Sequence, residues 1–222
     1  MDLEMKIMVI KIGSSVLLTQ RNKLDEFRLA HIAGQIIALK EKGVGVILVI
    51  SGAVACGAKF VGFSLNSSEL RRVAAGIGQV YLISVIQEIF SKKNLQIAQL
   101  LLVKDSLAPG VQKEKISELI KHYLQIGIVP IINENDVLEL NGFGGNDFLA
   151  AELAMALRAE QLLMLSTMAR SAYGVGGGES KQEVLRILNK EKVHATIVDG
   201  KLENIILKSL TPASFDKNGD IC

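Results

Sequence analysis

A chain of 222 residues with a formal net charge of +2 and 22% charged residues has the size of one α/β domain able to bury its own core, without the basic excess of a nucleic-acid binder. Trp is absent and aromatic residues make up 5%, which argues against base-stacking surfaces; two cysteines, Cys56 and Cys222, give no disulfide framework, so a reducing, cytoplasmic setting is expected. Acidic Asp2 and Glu4 precede the first apolar stretch, no small-residue cleavage site follows, and no apolar run reaches the ~18 residues of a spanning helix, so neither a signal peptide, a membrane nor a nucleic acid is expected.

Residues 5–12, MKIMVIKI, read as the first strand. It delivers Lys11, Gly13, Ser14 and Ser15 into a turn, where an ammonium group and backbone N–H donors can surround a phosphate. The spacing is not that of a Walker A loop, and a lysine at a strand end is as commonly just solvated. Residues 24–42 carry Leu29, Ile32, Ala33, Ile36, Ile37 and Leu39 at helical spacing, with Gly43 suited to the position beyond the helix end and His31 on the helix surface. Residues 44–50, VGVILVI, form a second continuous apolar strand. It runs into Ser51-Gly52-Ala53-Val54-Ala55-Cys56-Gly57, whose small residues let either an anionic ligand or a neighbouring helix approach the backbone. Cys56 reads as a packing residue. Residues 67–90 predict a long helix, with Ala74-Ala75-Gly76-Ile77-Gly78 permitting close approach; no strand precedes these glycines, which argues against a dinucleotide fingerprint.

Residues 95–103 are a third strand, and after Pro109-Gly110 an amphipathic helix covers 111–125. Residues 128–132 read as the central buried strand, apolar without alternation. Asn133, Glu134, Asn135 and Asp136 are expected beyond its carboxyl end, and Gly144-Gly145-Asn146-Asp147 marks a second polar cluster before a helix running from Phe148 to about Arg158. One such cluster fits a turn with a helix cap; two bracketing a short loop at a strand's carboxyl end, where α/β sheets bind ligands, fit a site. Residues 161–166 are another strand. The glycine-rich stretch from Gly174 leads to Lys181 where a helix over 182–190 begins. A cation there opposes the helix dipole unless an anion is bound, although a solvated lysine fits the pattern too. Residues 193–198 close as a strand, 201–210 are expected on the outside, and 211–222 form a polar tail to a single domain over 1–210. Strands alternating with helices predict an α/β fold around a mostly parallel sheet.

Taken together, Lys11-x-Gly13-Ser14-Ser15, Ser51-Gly52-Ala53-Val54-Ala55-x-Gly57, Ile131-Ile132-Asn133-Glu134-Asn135-Asp136, Gly145-Asn146-Asp147 and Gly176-Gly177-Gly178-x-x-Lys181 resemble the amino acid kinase family. Within it the pattern is most similar to the kinases whose acceptor is the side-chain carboxylate of L-glutamate. The resemblance implies an open αβα sandwich with a largely parallel, eight-stranded sheet. It also implies transfer of the γ-phosphoryl group of ATP, with Mg2+, to form glutamyl 5-phosphate in proline biosynthesis. L-Glutamate and MgATP are the implied partners, a homo-oligomer the implied assembly, and the RNA-binding-like C-terminal domain of many members is not expected here.

By the same resemblance Lys11 stabilises charge on the transferring phosphoryl group, Lys181 assists the ADP leaving group, and Asp147 holds both lysines. Ser51, Gly52, Ala53, Asp136 and Asn146 match acceptor-binding positions, with Asp136 toward the substrate ammonium and Ser51 with the Ala53 amide toward a carboxylate. Gly13 and Ser14 match phosphate-facing donors; with Lys11, Ser166, Thr167, Gly176, Gly177, Gly178 and Lys181 they make up the nucleotide-binding set. Magnesium would travel mainly on the nucleotide phosphates. This division is chemically coherent, because transfer to an ionised carboxylate needs alignment and charge stabilisation rather than a general base. Three departures stand out. The family's Gly-Asp-Asn-Asp is Gly144-Gly145-Asn146-Asp147 here, its Thr-Asp after the fifth strand is Ser166-Thr167, and the segment that helps enclose adenine shrinks to 168–173. They leave two alternatives open: another phosphotransferase of the family, or an amino-acid-binding or regulatory protein that has lost catalysis.

Overall fold

The computed structural model describes residues 5–21, 23–61, 65–167 and 178–210. Among them six strands, β1 (Ile7–Ile12), β2 (Gly45–Ile50), β3 (Ile97–Leu102), β4 (Val129–Glu134), β5 (Gln161–Ser166) and β6 (His194–Asp199), form one sheet in the order β3-β4-β2-β1-β5-β6. Every neighbouring pair is parallel. The described sheet thus has six strands rather than the eight the resemblance implies. The strand read as central is second from the β3 edge. β2 and β1 hold the middle, in register from Ile7 opposite Gly45 to Ile12 opposite Ile50.

Eight α-helices are described, α1 (Ser14–Leu17), α2 (Glu26–Glu41), α3 (Ala53–Val61), α4 (Ser68–Ser91), α5 (Val111–Gln125), α6 (Asn146–Ala156), α7 (Gly178–Lys190) and α8 (Ile205–Lys208), with a 3-10 turn at Lys104–Leu107. Caps set the starts of two of them: Asp25 accepts from the Arg28 N–H (3.0 Å) at α2, and Ser67 from the Leu70 N–H (3.2 Å) at α4. Because successive strand residues face opposite sides, β1 feeds two cores. Met8, Ile10 and Ile12 pack with Leu29 and Ile36 of α2, Leu82 of α4 and Ile206 of α8. Ile7 and Val9 pack with Ile120 of α5, Leu149 of α6 and Val184 of α7. Each fully buried Leu or Ile is worth about 1.5–3 kcal/mol, which is why strands apolar on both faces settle only between two helical layers. The same alternation assigns Lys11 to the side of Ile7 and Val9, beneath α6 and α7.

α4 is long and apolar enough to cross a membrane by length and composition, the one such helix among the described residues, against the expectation that no run reaches that length. Its Ala74, Ala75, Gly78, Leu82, Ile86 and Phe90 are buried within the fold, and it packs on α3 and α2. The close approach predicted for its glycine stretch is present. A Cβ on Gly57 would stand 1.8 Å from the Ala74 carbonyl oxygen, and one on Gly78 1.8 Å from that of Ala53, so the two backbones touch and only glycine fits.

Three further expectations change. Asn133 and Glu134 belong to β4 and are buried rather than lying in the loop beyond it. Residues 201–210 are not an outer appendage: Ile206 of α8 is fully buried, and its N–H donates to Gln35 Oε1 at 2.9 Å. α7 begins at Gly178, so Lys181 stands inside its first turn. Cys56 is buried, and burial pushes its thiol up to about 11, in keeping with a packing residue. Cys222 and the tail lie outside the described residues.

Candidate active site

β1 connects to β2 on one side, whereas the chain passes from β4 through α6 to β5 on the other side of β1. The winding therefore reverses between β1 and β5, and ligands of open α/β sheets bind outside the carboxyl ends of the strands at such a point. Lys11 near the end of β1, Ser51 and Gly52 after β2, Asp136 after β4 and Ser166 at the end of β5 all stand along this rim.

The centre is Asp147, the second residue of α6 and buried. Lys11 Nζ lies 2.8 Å from its Oδ1, and Lys181 Nζ 3.0 Å from its Oδ2. Ser180, on α7, donates to Oδ2 at 3.3 Å. Burial opposes the charge of Asp147, yet Lys11 and Lys181 outweigh it and hold the carboxyl below the ordinary aspartate range. Burial likewise lowers Lys11 below the usual lysine value against the pull of Asp147. Two ammonium groups share one carboxylate, so the trio keeps a net positive charge in a partly desolvated place, which suits an anion with several oxygen acceptors.

The β4 side of the rim is tied together by Glu134. Its Oε1 accepts from the N–H groups of Phe143 (3.2 Å) and Gly145 (3.1 Å), folding the loop back onto β4. Its own N–H donates to Asn133 Oδ1 (2.9 Å) and Asn146 Oδ1 (3.3 Å). Asp136 Oδ1 accepts from the Asn141 N–H at 3.1 Å. Burial, with the Asp136 charge added, pushes the Glu134 carboxyl up to about 7 against those two backbone donors. Burial also raises Asp136, opposed by the Asn141 N–H and by Arg71. Gly145 has φ +115°, a backbone that strains any L side chain, so the position where the resembled pattern has Asp is one that this loop reserves for glycine.

On the β2 side, Ser51 and Gly52 are half-buried and Ala53 opens α3. Gly52 has φ +110°, and a Cβ there would lie 3.7 Å from Ser14 Cβ, so the turns after β1 and β2 adjoin. The Gly13 N–H donates to the Leu165 carbonyl at 3.0 Å, locking β1 to β5. What Gly13 offers is space, since a Cβ would meet that carbonyl at 3.2 Å and Lys11 Nζ at 3.8 Å. Ser14 is buried beside it. On the β5 side Ser166 Oγ donates to the Thr167 carbonyl at 3.3 Å, and the Ser166 carbonyl accepts from the Gly200 N–H at 3.0 Å. Gly178 begins α7, while Gly176 and Gly177 lie outside the described residues.

Sequence reasoning gave no role to Ser180 or Gln79. The first is one residue from Lys181 and had no pattern to mark it. The second donates nothing to a motif but accepts from Asn133 Nδ2 at 2.8 Å, a contact between α4 and β4 that no local spacing encodes.

An all-parallel sheet wound about such a rim, with two lysines on one buried carboxylate, defines an α/β fold of the phosphotransferase kind. The chain belongs to the amino acid kinase family, whose model matches residues 6–170. It is similar to the glutamate 5-kinase of Streptococcus suis, 27% identical over 94% of this chain and 69% of the relative. It is also similar to that of Thermus thermophilus, 30% identical over 95% and 66%, and to glutamate 5-kinase 2 of Bacillus subtilis, 35% identical over 74% and 46%. The chain thus spans about two thirds of the length of the first two and under half of the third. The first two alignments run over 246 positions, more than the 222 residues of the chain, so these relatives carry positions without a counterpart here. The UMP kinases of Ureaplasma parvum (TM-score 0.60, 16% identity, 92% of this chain and 95% of that one) and Bacillus anthracis (0.58, 16%, 90% and 90%) share the fold.

Proposed function

We propose that the chain transfers the γ-phosphoryl group of MgATP to the side-chain carboxylate of L-glutamate, giving glutamyl 5-phosphate and ADP, the entry step of proline biosynthesis. The observation that carries this reading is the Asp147 carboxylate held between Lys11 at 2.8 Å and Lys181 at 3.0 Å. A carboxylate oxygen of the acceptor forms the new O–P bond while the bond to the bridging oxygen of ADP breaks and that oxygen takes the electron pair. No proton need move. Lys11 stabilises the charge spread over the transferring group, Lys181 that appearing on the leaving group, and Asp147 fixes both ammonium groups ahead of the reaction, so little reorganisation is needed. Burial strengthens each of these interactions relative to water.

Asp136 is the candidate for the acceptor ammonium, Asn146 for an acceptor oxygen, and Ser51 with the Ala53 amide for a carboxylate. Among the described residues no three His, Cys, Asp or Glu side chains converge where a metal ion could sit. In this reading Mg2+ is the companion of the nucleotide phosphates.

The test is incubation with MgATP, L-glutamate and hydroxylamine, following glutamyl hydroxamate and ADP together. Glutamate-dependent formation of both is expected. ADP release driven by a different acceptor would move the chain to another phosphotransferase of the family. Glutamate binding in calorimetry with neither ATP binding nor product would make it a binding protein.

A further inference from the structure

Gln79 lies on α4, outside every motif, and is only 8% exposed. A chain of hydrogen bonds fixes which way its carboxamide faces. The Glu134 N–H can only donate, so the Asn133 oxygen that receives it at 2.9 Å is Oδ1. Asn133 therefore presents Nδ2 to Gln79, and the Gln79 atom 2.8 Å away is the acceptor Oε1. That leaves Gln79 Nε2 as a buried donor with no hydrogen-bond partner among the described residues. The other buried polar atoms in that condition do not compete for the same role: Asp147 Oδ1 is an acceptor facing Lys11, Arg28 Nε belongs to α2, and Gln161 Oε1 sits at the start of β5, where Gln161 Nε2 donates to the Ser209 carbonyl.

The surroundings of Gln79 are those of the acceptor positions. The preceding residue, Gly78, presses on the Ala53 carbonyl at the start of α3. On the other side Gly76 adjoins Val137, and Arg72 Nε donates to the Val137 carbonyl at 2.6 Å, one residue past Asp136. The side chain itself is bonded to the end of β4. The turn after β2, the end of β4 and the loop bearing Asp136 thus meet around one glutamine. A buried donor left unpaired destabilises the fold, so such a donor is most readily understood where a bound molecule completes it.

We propose that Gln79 is a specificity-determining residue that donates from Nε2 to a carboxylate or carbonyl oxygen of the bound acceptor. This deepens the preceding reading and rests on its assignment of the acceptor site. A neutral amide donor rewards an acceptor with an oxygen at that point and penalises one that presents an ammonium or a methyl group there.

Two substitutions test it. Gln79→Glu keeps an oxygen for Asn133 but exchanges the donor for a second acceptor; Gln79→Met removes the donor altogether. With L-glutamate at pH 8, Gln79→Glu is expected to raise the KM for the acceptor about tenfold or more, the step that 1.4 kcal/mol of lost binding represents, with the KM for ATP unchanged. Gln79→Met should raise the acceptor KM by a comparable factor. An acceptor KM that stays at the wild-type value in both variants, or a penalty that shifts ATP equally, overturns the proposal. Wild-type turnover of glutamate with indifferent variants removes Gln79 and keeps the kinase reading. Wild-type turnover of another acceptor with the same Gln79 dependence keeps Gln79 and removes glutamate. A wild-type protein that neither binds nor turns over L-glutamate, L-aspartate or UMP removes both.

Discussion

The two sides of the site are held in different ways. On the acceptor side one carboxylate, Glu134, gathers the N–H groups of Phe143 and Gly145, while its own N–H reaches Asn133 and Asn146. Asn133 in turn reaches Gln79 on α4. The edge strands of both sides, β3 and β6, are partly exposed where the central β1 and β2 are wholly buried, so the difference lies in the side chains. Lys181 is twice as exposed as Lys11, 14% against 7%. The acceptor loop is thus shaped by the fold before any substrate arrives, whereas the β5–α7 side meets it through the ion pairs of Asp147. In the proposed reaction, discrimination rests on buried hydrogen bonds, and the charge that answers the leaving group sits nearer water.

Breaking the joint between the sides should have the largest effect. Asp147→Asn leaves Lys11 buried without its counter-charge, which costs about 3–5 kcal/mol when one partner of a buried pair is lost, and turnover should fall with it; denaturant unfolding and the hydroxamate assay read the two losses. Lys181→Ala acts on the nucleotide side alone, and kcat should drop about 10²–10³-fold, the usual scale for removing one preorganised charge-stabilising group. Its KM for glutamate should stay put, and a KM that rises in step with the loss of kcat would put Lys181 on the acceptor side.

Glu134→Gln probes the acceptor side through pH. The folded carboxyl titrates near 7, above its ordinary value, so between those values the folded state holds a proton that the unfolded chain has released. Its stabilising contribution is complete below the ordinary glutamate range and is lost as pH rises through about 7. The glutamine variant keeps an acceptor oxygen for Phe143 and Gly145 without the charge. Its melting temperature relative to wild type should therefore climb as pH rises from 4.5 through about 7 and level off above, by about 2–4 °C for each kcal/mol involved. A difference flat across that range would mean that the charge is not strained. Lys92→Ala, which removes the exposed pair with Glu88, belongs to neither side and should leave both melting temperature and kinetics unchanged.

Much of the fold was legible because its signals are local. The helix at Val111–Gln125 and the strand at Gln161–Ser166 match their expected ends: Gly110 with φ +141° and Gly127 with φ +79° bracket the first, and an unbroken apolar run defines the second. Asn133 and Glu134 were misassigned because polarity reads as loop, and what makes them acceptable inside a strand is partners far away in sequence, Gln79 for one and Phe143 with Gly145 for the other. Lys11 and Asp147 could be named from their patterns, yet that both lie on one face of the sheet follows from strand alternation together with the layer α6 occupies. At Gly13, two residues past Lys11, the pattern suggests phosphate, whereas what joins its amide to Leu165 is the β1–β5 pairing, which no local motif encodes.

The contact of Gly57 with Ala74 and of Gly78 with Ala53 has a mechanical consequence. Where main chain meets main chain there are no rotamers to absorb displacement, and Lys59 and Phe60 of α3 also pack on Tyr81 of α4, so α3 is restrained from sliding without α4. The turn at Ser51 and Gly52 sits at one end of this pair and Gln79 on its other member, and the two therefore travel as a single lever.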